Sequence, residues 1–340
     1  MSDTNGKNVS GEAAAEITVE TITASKIQSK PISFLLNPYI PLGAVTALFG
    51  DGGCGKSFVT CAIAAAISRG QLIPGTEESF PISDVIIQNA ENGWANVLKP
   101  RLEMLGADCS KIHSIDDTNK RLTITDERIE AAIRKHNAKY FVIDPIQSYL
   151  PESFSMNRVE SVRPVLTHLA GVAERTESAI MIVGHISKGR GKAQHKGLGS
   201  VDMINAVPSA LLMGRAEELR PDERIIAHMK GNFTELGLSI KFSLKKGDGF
   251  NWLGVCDIIP DEIISYNARK AKENKDKVDE AIEFLYEILS EGEISASEAI
   301  ALAVDVGISK RTLDRARKEI NVNATKTNGP WVWSLQGCQH

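Results

Sequence analysis

At 340 residues the chain is long for one domain, and at ~150 residues each the length points to about two. With 42% hydrophobic and 24% charged residues the composition is that of a soluble globular protein, which excludes disorder as the dominant state. A formal net charge of −4 confines any nucleic-acid contact to local basic patches, and the longest apolar run, residues 59–67, falls far short of the ~20 a membrane span needs.

The first fifteen residues are polar and carry no apolar signal-peptide core, and residues 1–13 read as disordered. The five cysteines include no pair at zinc-site spacing, which fits reduced thiols in a cytoplasmic protein. Two prolines and a glycine in residues 38–43 make a rigid turn into the first strand. Apolar strands are expected at residues 44–49, 85–89, 140–143, 179–183 and 209–213, alternating with helical segments. That order predicts an α/β fold with a mainly parallel sheet. Later strands at 224–229, 238–244 and 250–257 follow closely, the last two flanking the turn-forming residues 245–249, so the sheet ends in antiparallel strands.

Composition shifts at residues 268–277, a charged run without large apolar residues, which reads as a linker or the solvated start of a helix. Beyond it a helix is expected over 279–289. A second runs from the cap Ser295, with Glu298 completing a capping box, to residue 306. Ser309 caps a third through residue 320, and a strand-turn-strand follows around Asn328, Gly329 and Pro330. Three helices and a β-wing predict a winged helix-turn-helix. The expected division is a flexible segment 1–30, an ATPase domain 31–265, a linker 266–277 and a winged-helix domain 278–340.

The strongest motif is Gly50-Asp51-Gly52-Gly53-Cys54-Gly55-Lys56-Ser57, G-x-x-x-x-G-K-[ST] between an expected strand and an expected helix. Its glycines let backbone N–H groups surround a phosphate, and the following helix, including Phe58, adds its positive N-terminal end. Lys56 is placed to reach the β- and γ-phosphates of ATP, and the Ser57 hydroxyl to ligate Mg²⁺. The strand at 140–143 runs into Asp144, which in a P-loop fold lies beside the first strand and holds Mg²⁺. Glu91, after the strand 85–89, is either a surface carboxylate or the group that polarises the attacking water. His185 closes the strand 179–184, as a structural residue or as a sensor of the γ-phosphate. The following stretch holds Lys188, Arg190, Lys192 and Lys196 among glycines with no large apolar residue before Leu198. It reads as a mobile loop facing a polyanion, or as a plain solvated insertion.

In this order of features the chain resembles the RecA-like ATPases, and within them the RepA-type hexameric helicases of plasmids, phages and integrated elements. Pro41-Leu42-Gly43, the loop Gly50 to Ser57, Ala90-Glu91-Asn92, Asp144-Pro145, Gly184-His185-Ile186-Ser187-Lys188, Gly199-Ser200 and Lys230-Gly231-Asn232 carry the resemblance, over about residues 32–259. It implies that Glu91 is the catalytic glutamate, Asp144 the Walker B aspartate and His185 the γ-phosphate sensor. It also implies that Lys230 reaches toward a neighbouring subunit's nucleotide, and that the loop 188–199 holds single-stranded DNA in a central channel. Family members carry an arginine finger in the segment matching Asn205-Ala206-Val207-Pro208-Ser209, where this chain has none. Arg215 is the nearest substitute, alone or sharing the task with Lys230.

The winged helix lies outside that resemblance. Its third helix carries Lys310, Arg311, Arg315, Arg317 and Lys318 against Asp314, a pattern that reads DNA or, as in many winged helices, sits on a docking module for protein. The functional expectation is an ATP-hydrolysing, Mg²⁺-dependent homo-oligomer, a hexamer, acting on single-stranded DNA as a mobile element's replicative helicase, with a replication or element-encoded protein partner and no membrane. A non-motor ATPase switch binding DNA or protein is the alternative, and a small-molecule kinase is disfavoured by the lack of an arginine-rich lid.

Overall fold

The computed structural model describes residues 20–151, 159–185, 203–245, 249–290, 292–326 and 329–335, with backbone alone for 159–162 and 185. The basic loop with Lys188, Arg190, Lys192 and Lys196, and residues 1–13, lie outside the described residues. The chain divides into two units, Met1–Ser33 and Phe34–His340. Within the described part of the first, Ala24–Lys26 forms a single 3₁₀ turn.

Strands β1 (Phe34–Leu36) and β2 (Ile40–Pro41) form a small antiparallel hairpin. The large sheet is built from β3 (Val45–Gly50), β4 (Val85–Asn89), β5 (Ile112–His113), β6 (Tyr140–Asp144), β7 (Ala179–His185), β8 (Ser209–Gly214), β9 (Glu223–Gly231), β10 (Ser239–Lys245) and β11 (Gly249–Cys256). Among the described residues its order is β11-β10-β9-β8-β3-β7-β6-β4-β5. The strands from β8 to β5 pair in parallel, and β9, β10 and β11 add antiparallel pairs at one side. Helices α1 (Lys56–Arg69), α2 (Lys99–Met104), α3 (Arg128–His136) and α4 (Val159–Thr176) cover the two faces.

The two faces follow from the period of two along each strand. In β3, Val45, Ala47 and Phe49 join the core that α3 and α4 cover, while Leu48 joins the core around α1. The same alternation places Phe141 and Ile143 on the first side and Tyr140 and Val142 on the second. Helix α1 is buried nearly all round, from Val59 to Ser68, so its run of alanines and isoleucines is core and not an amphipathic stripe.

Two points differ from the sequence reading. Strand β6 is not the neighbour of β3; β7 lies between them and pairs with both. Local pattern marks a strand and its end, but the crossover that orders parallel strands is a tertiary choice. Of the two readings of the charged run, linker or solvated helix start, the helix holds: residues 266–277 lie inside one continuous helix, α5 (Pro260–Ser290), and form no linker. The run has no glycine or proline, is rich in good helix formers, and carries the pairs Arg269–Glu273 (3.6 Å) and Lys270–Glu273 (2.8 Å).

Helix α5 is anchored at both ends. Ile263 packs with Leu212, Ala216, Leu219, Ile225 and Ala227 at the sheet. Val278, Ala281, Leu285 and Leu289 pack with residues of α6 (Ala296–Asp305), α7 (Lys310–Glu319) and Trp333 in a separate core. The Ser295 hydroxyl accepts from the Glu298 N–H (3.2 Å), and the Ser309 hydroxyl from the Thr312 N–H (3.2 Å), so both helices start at side-chain caps. Strands β12 (Ile294–Ser295), β13 (Asn323–Lys326) and β14 (Trp331–Ser334) form an antiparallel sheet in the order β12-β14-β13. No described helix is long and apolar enough to cross a membrane.

Candidate nucleotide site

The site lies where β3 ends. Gly50 is the last residue of β3, and the loop 51–55 turns directly into α1. Two glycines make this turn possible: Gly53 has φ +75° and Gly55 φ +100°, a region that L side chains rarely adopt. Gly55 is also the N-cap of α1 and supplies no side chain, so side-chain oxygens do not compete for the first N–H groups of the helix. A Cβ on Gly52 or Gly53 would meet nothing within 4 Å. The loop therefore presents its backbone to open space beside a positive helix end, which is the chemistry of a phosphate cradle.

Lys56 is only 6% exposed, and a buried ammonium needs acceptors. Its Nζ donates to the carbonyls of Gly50 and Asp51 at 2.9 Å each and lies 3.9 Å from the Cys54 Sγ. The charge is thus held inside the loop, at the cradle. Burial pushes the Cys54 thiol up, an effect that the neighbouring Lys56 partly offsets. Burial also raises the Cys61 thiol to about 12, so both are unreactive core thiols. Ser57 follows in the first turn of α1, and Phe58 carries the Arg101 guanidinium over its ring at 3.9 Å.

Asp144 is buried at the carboxyl-terminal end of β6, on the same side of the parallel sheet as Gly50 at the end of β3. Tyr140 and Val142 of β6 share a core with Cys61 of α1, so the strand that ends in Asp144 packs on the helix that follows the loop. Asn89 pairs with Asp144 in register across β4 and β6. The Asn89 Nδ2 donates to the Asp144 Oδ2 at 3.0 Å, while its Oδ1 accepts the N–H groups of Glu91 (3.1 Å) and Asn92 (2.7 Å). One side chain therefore ties the turn bearing Glu91 to the buried aspartate. The sequence reading missed Asn89; its signal was a polar residue ending an apolar strand just before Ala90-Glu91-Asn92. Glu91 itself is exposed, two residues beyond β4.

His185 ends β7 opposite Gly50 in the parallel register. Near this strand end, Gln147 has a buried Oε1 without a hydrogen-bond partner among the described residues, and Gly184 fits tightly against Phe49.

The two candidate trans-acting cations occupy opposite ends of β8. Met213 pairs with Gly50, so Arg215 lies at the phosphate-loop end of its own chain. Burial and the nearby Arg215 pull the Arg224 guanidinium below its ordinary range, so two cations crowd there. Lys230 pairs with Ala210, five residues before Arg215, or about 17 Å away at ~3.4 Å per residue. Its Nζ donates to the carbonyls of Ile204 (3.1 Å) and Asn205 (2.9 Å), and burial lowers its pKa.

On α7, Lys310, Arg311, Arg315 and Lys318 are exposed and line a shallow depression with Asp314. Arg317 points inward, its guanidinium 4.8 Å over the Trp333 ring. It is a packing residue, which leaves four of the helix's five cations on the surface.

The residues present fit a nucleoside triphosphate and its divalent ion: a glycine cradle, a held ammonium, a helix-start hydroxyl and a buried carboxylate. Among proteins of known function, the DNA repair protein RadA of Streptococcus pneumoniae (strain ATCC BAA-255 / R6) is 24% identical over 176 residues. The match covers 51% of this chain but only 37% of that relative. The family model of the AAA domain, AAA_25, matches residues 13–191, just over half of the chain. The chain belongs to this AAA domain family and carries a RecA-like P-loop ATPase core.

Proposed function

We propose that the protein hydrolyses ATP as a ring of RecA-like subunits acting on single-stranded DNA, as a mobile element's replicative helicase. The carrying observation is the convergence of Lys56, Ser57, Asp144, Asn89 and Glu91 at the carboxyl-terminal ends of the parallel strands, next to an uncapped helix start. In this reading the N–H groups of the loop 50–57 and the Lys56 ammonium bind the phosphates, Lys56 exchanging its two carbonyl acceptors for phosphate oxygens. Ser57 and Asp144 hold Mg²⁺, which neutralises charge developing on the transferred phosphoryl group. Glu91 orients the attacking water, and Asn89 keeps its turn beside Asp144.

Lys230 is the better candidate for the charge that acts across a subunit interface. It hydrogen-bonds the backbone of Ile204 and Asn205, at the start of the segment where the resemblance expects an arginine. Arg215, at its own subunit's phosphate loop, suits a cis role. The C-terminal helices and sheet are read as a winged helix whose exposed α7 cations contact DNA.

The name of the S. pneumoniae relative favours a second reading, in which the same ATPase serves DNA repair, and a non-motor switch is the third. Two measurements separate them: particle mass with and without ATP and oligonucleotide, and unwinding of a forked duplex. A ring with polar unwinding supports the helicase. A ring without unwinding leaves the repair or switch reading, and a monomer under every condition refutes the ring.

A further inference from the structure

Three metal-capable side chains converge at the sheet edge opposite the phosphate loop. Asp84 immediately precedes β4, His113 ends β5 and His136 is the last residue of α3. Pairing of Val85 with Ile112 and of Ile86 with His113 fixes the first two relative to each other. The Asp84 carbonyl accepts the Lys139 N–H at 3.0 Å, which fixes the chain just beyond α3 against the same point. His113 Nε2 lies 2.7 Å from Asp84 Oδ1, and the His113 and His136 rings stack with centroids 3.7 Å apart. One ligand atom from each residue lies within 4.8 Å of the other two, and all three residues are half-buried.

The local charges are compatible with a cation. Lys111 Nζ lies 3.6 Å from Asp84 Oδ2, the oxygen that does not face His113. It can stay there as an outer partner that orients the carboxylate while Oδ1 binds a metal.

We propose that Asp84, His113 and His136 form a binding site for a borderline divalent transition-metal ion, of which Zn²⁺ is the type, with water completing the shell. Tetrahedral zinc at ~2.0–2.1 Å from its ligands sets them roughly 3.3 Å apart, and because an imidazole binds a metal in its own ring plane, closing the triad requires the His113 and His136 rings to turn out of their stack as well as to move closer. The ion would clip the edge strand β5 and the end of α3 to the start of β4. Its place at the far sheet edge keeps it separate from the nucleotide's ion.

The test uses the full chain without nucleotide. Zn²⁺ affinity is measured by competition with a chromophoric chelator, and the melting temperature is followed with and without Zn²⁺. His136→Gln leaves the Asp84–His113 contact intact and should weaken Zn²⁺ binding at least about tenfold and remove the Zn²⁺-dependent rise in melting temperature. Asp84→Asn, checked for folding by circular dichroism, should weaken binding too, while Asp144→Asn at the nucleotide site should not. Wild-type affinity no tighter than millimolar, or unchanged affinity in His136→Gln, overturns the proposal. Loss of binding in Asp144→Asn alone would assign the ion to the nucleotide site and overturn it equally.

Discussion

Gly55→Ala isolates the backbone requirement of the phosphate loop. At φ +100° an alanine is strained, and its Cβ would sit 2.8 Å from the Leu244 Cδ2 and 3.5 Å from the Met213 Cε. The backbone conformation costs about 1–2 kcal/mol, and the contact adds less, because Leu244 can give way. A total of about 2 kcal/mol lowers the melting temperature by roughly 4–8 °C. Relief of the strain moves the loop's N–H groups, so binding of a fluorescent ATP analogue should fall much more than stability does. Gly55→Ala/Leu244→Ala offers a control: it relieves the contact but not the φ strain, and nucleotide binding stays weak. Gly52→Ala, whose Cβ meets nothing within 4 Å, should melt near the wild-type temperature. If Gly55→Ala binds nucleotide as tightly as wild type, the left-handed N-cap is not a requirement of the site and the reasoning fails.

Lys56→Ala should abolish ATP turnover, whereas Glu91→Gln should keep nucleotide binding and slow hydrolysis; equal turnover in Glu91→Gln and wild type would remove Glu91 from its assigned role. Replacing Lys188, Arg190, Lys192 and Lys196 by alanine should flatten the salt dependence of single-stranded DNA binding by about 0.7 in log–log slope per lost phosphate contact, and an unchanged slope would move the DNA site, most simply to α7. Hydrogen bonds from Arg175 and Arg134 hold the Glu130 carboxyl down at about 2, below its ordinary 4.5. This tie between α3 and α4 is therefore fully present above pH 4.5 and lost as pH falls toward 2; in Arg175→Ala, Glu130 should titrate closer to its ordinary value by NMR. Leu313→Ala in the separate C-terminal core should cost about 2–5 kcal/mol there and expose α6 and α7 to protease, while ATP-analogue binding persists.

The parts of the fold legible in the sequence were those that rest on local chemistry. Strand ends at Asn89 and Asp144, the first strand's end to within one residue, and the caps Ser295 and Ser309, are set by residue type within a few positions. The neighbour of β3 was not legible, because β7 enters between β3 and β6 from residues more than thirty positions beyond β6. The two-residue β5 is too short to show a period, so the His113 cluster was hidden as well. The state of 268–277 stayed open between linker and helix start because the run has no large apolar residue: between Ile263 and Val278 no residue of α5 is buried, so propensity and charge pairs alone mark the helix. In the site, the loop and Asp144 followed from motif, whereas Asn89 needed the strand register that brings it to Asp144. The separation of Arg215 from Lys230 follows from the antiparallel turn of β9, which returns Lys230 to the opposite end of β8.

The central claim, that this phosphate loop hydrolyses ATP in response to DNA, is tested most directly by steady-state ATP hydrolysis with and without a single-stranded oligonucleotide, wild type beside Lys56→Ala. The account predicts turnover that rises on adding the oligonucleotide and vanishes in Lys56→Ala. Turnover that survives in Lys56→Ala, or a wild-type rate indifferent to single-stranded DNA, would contradict it.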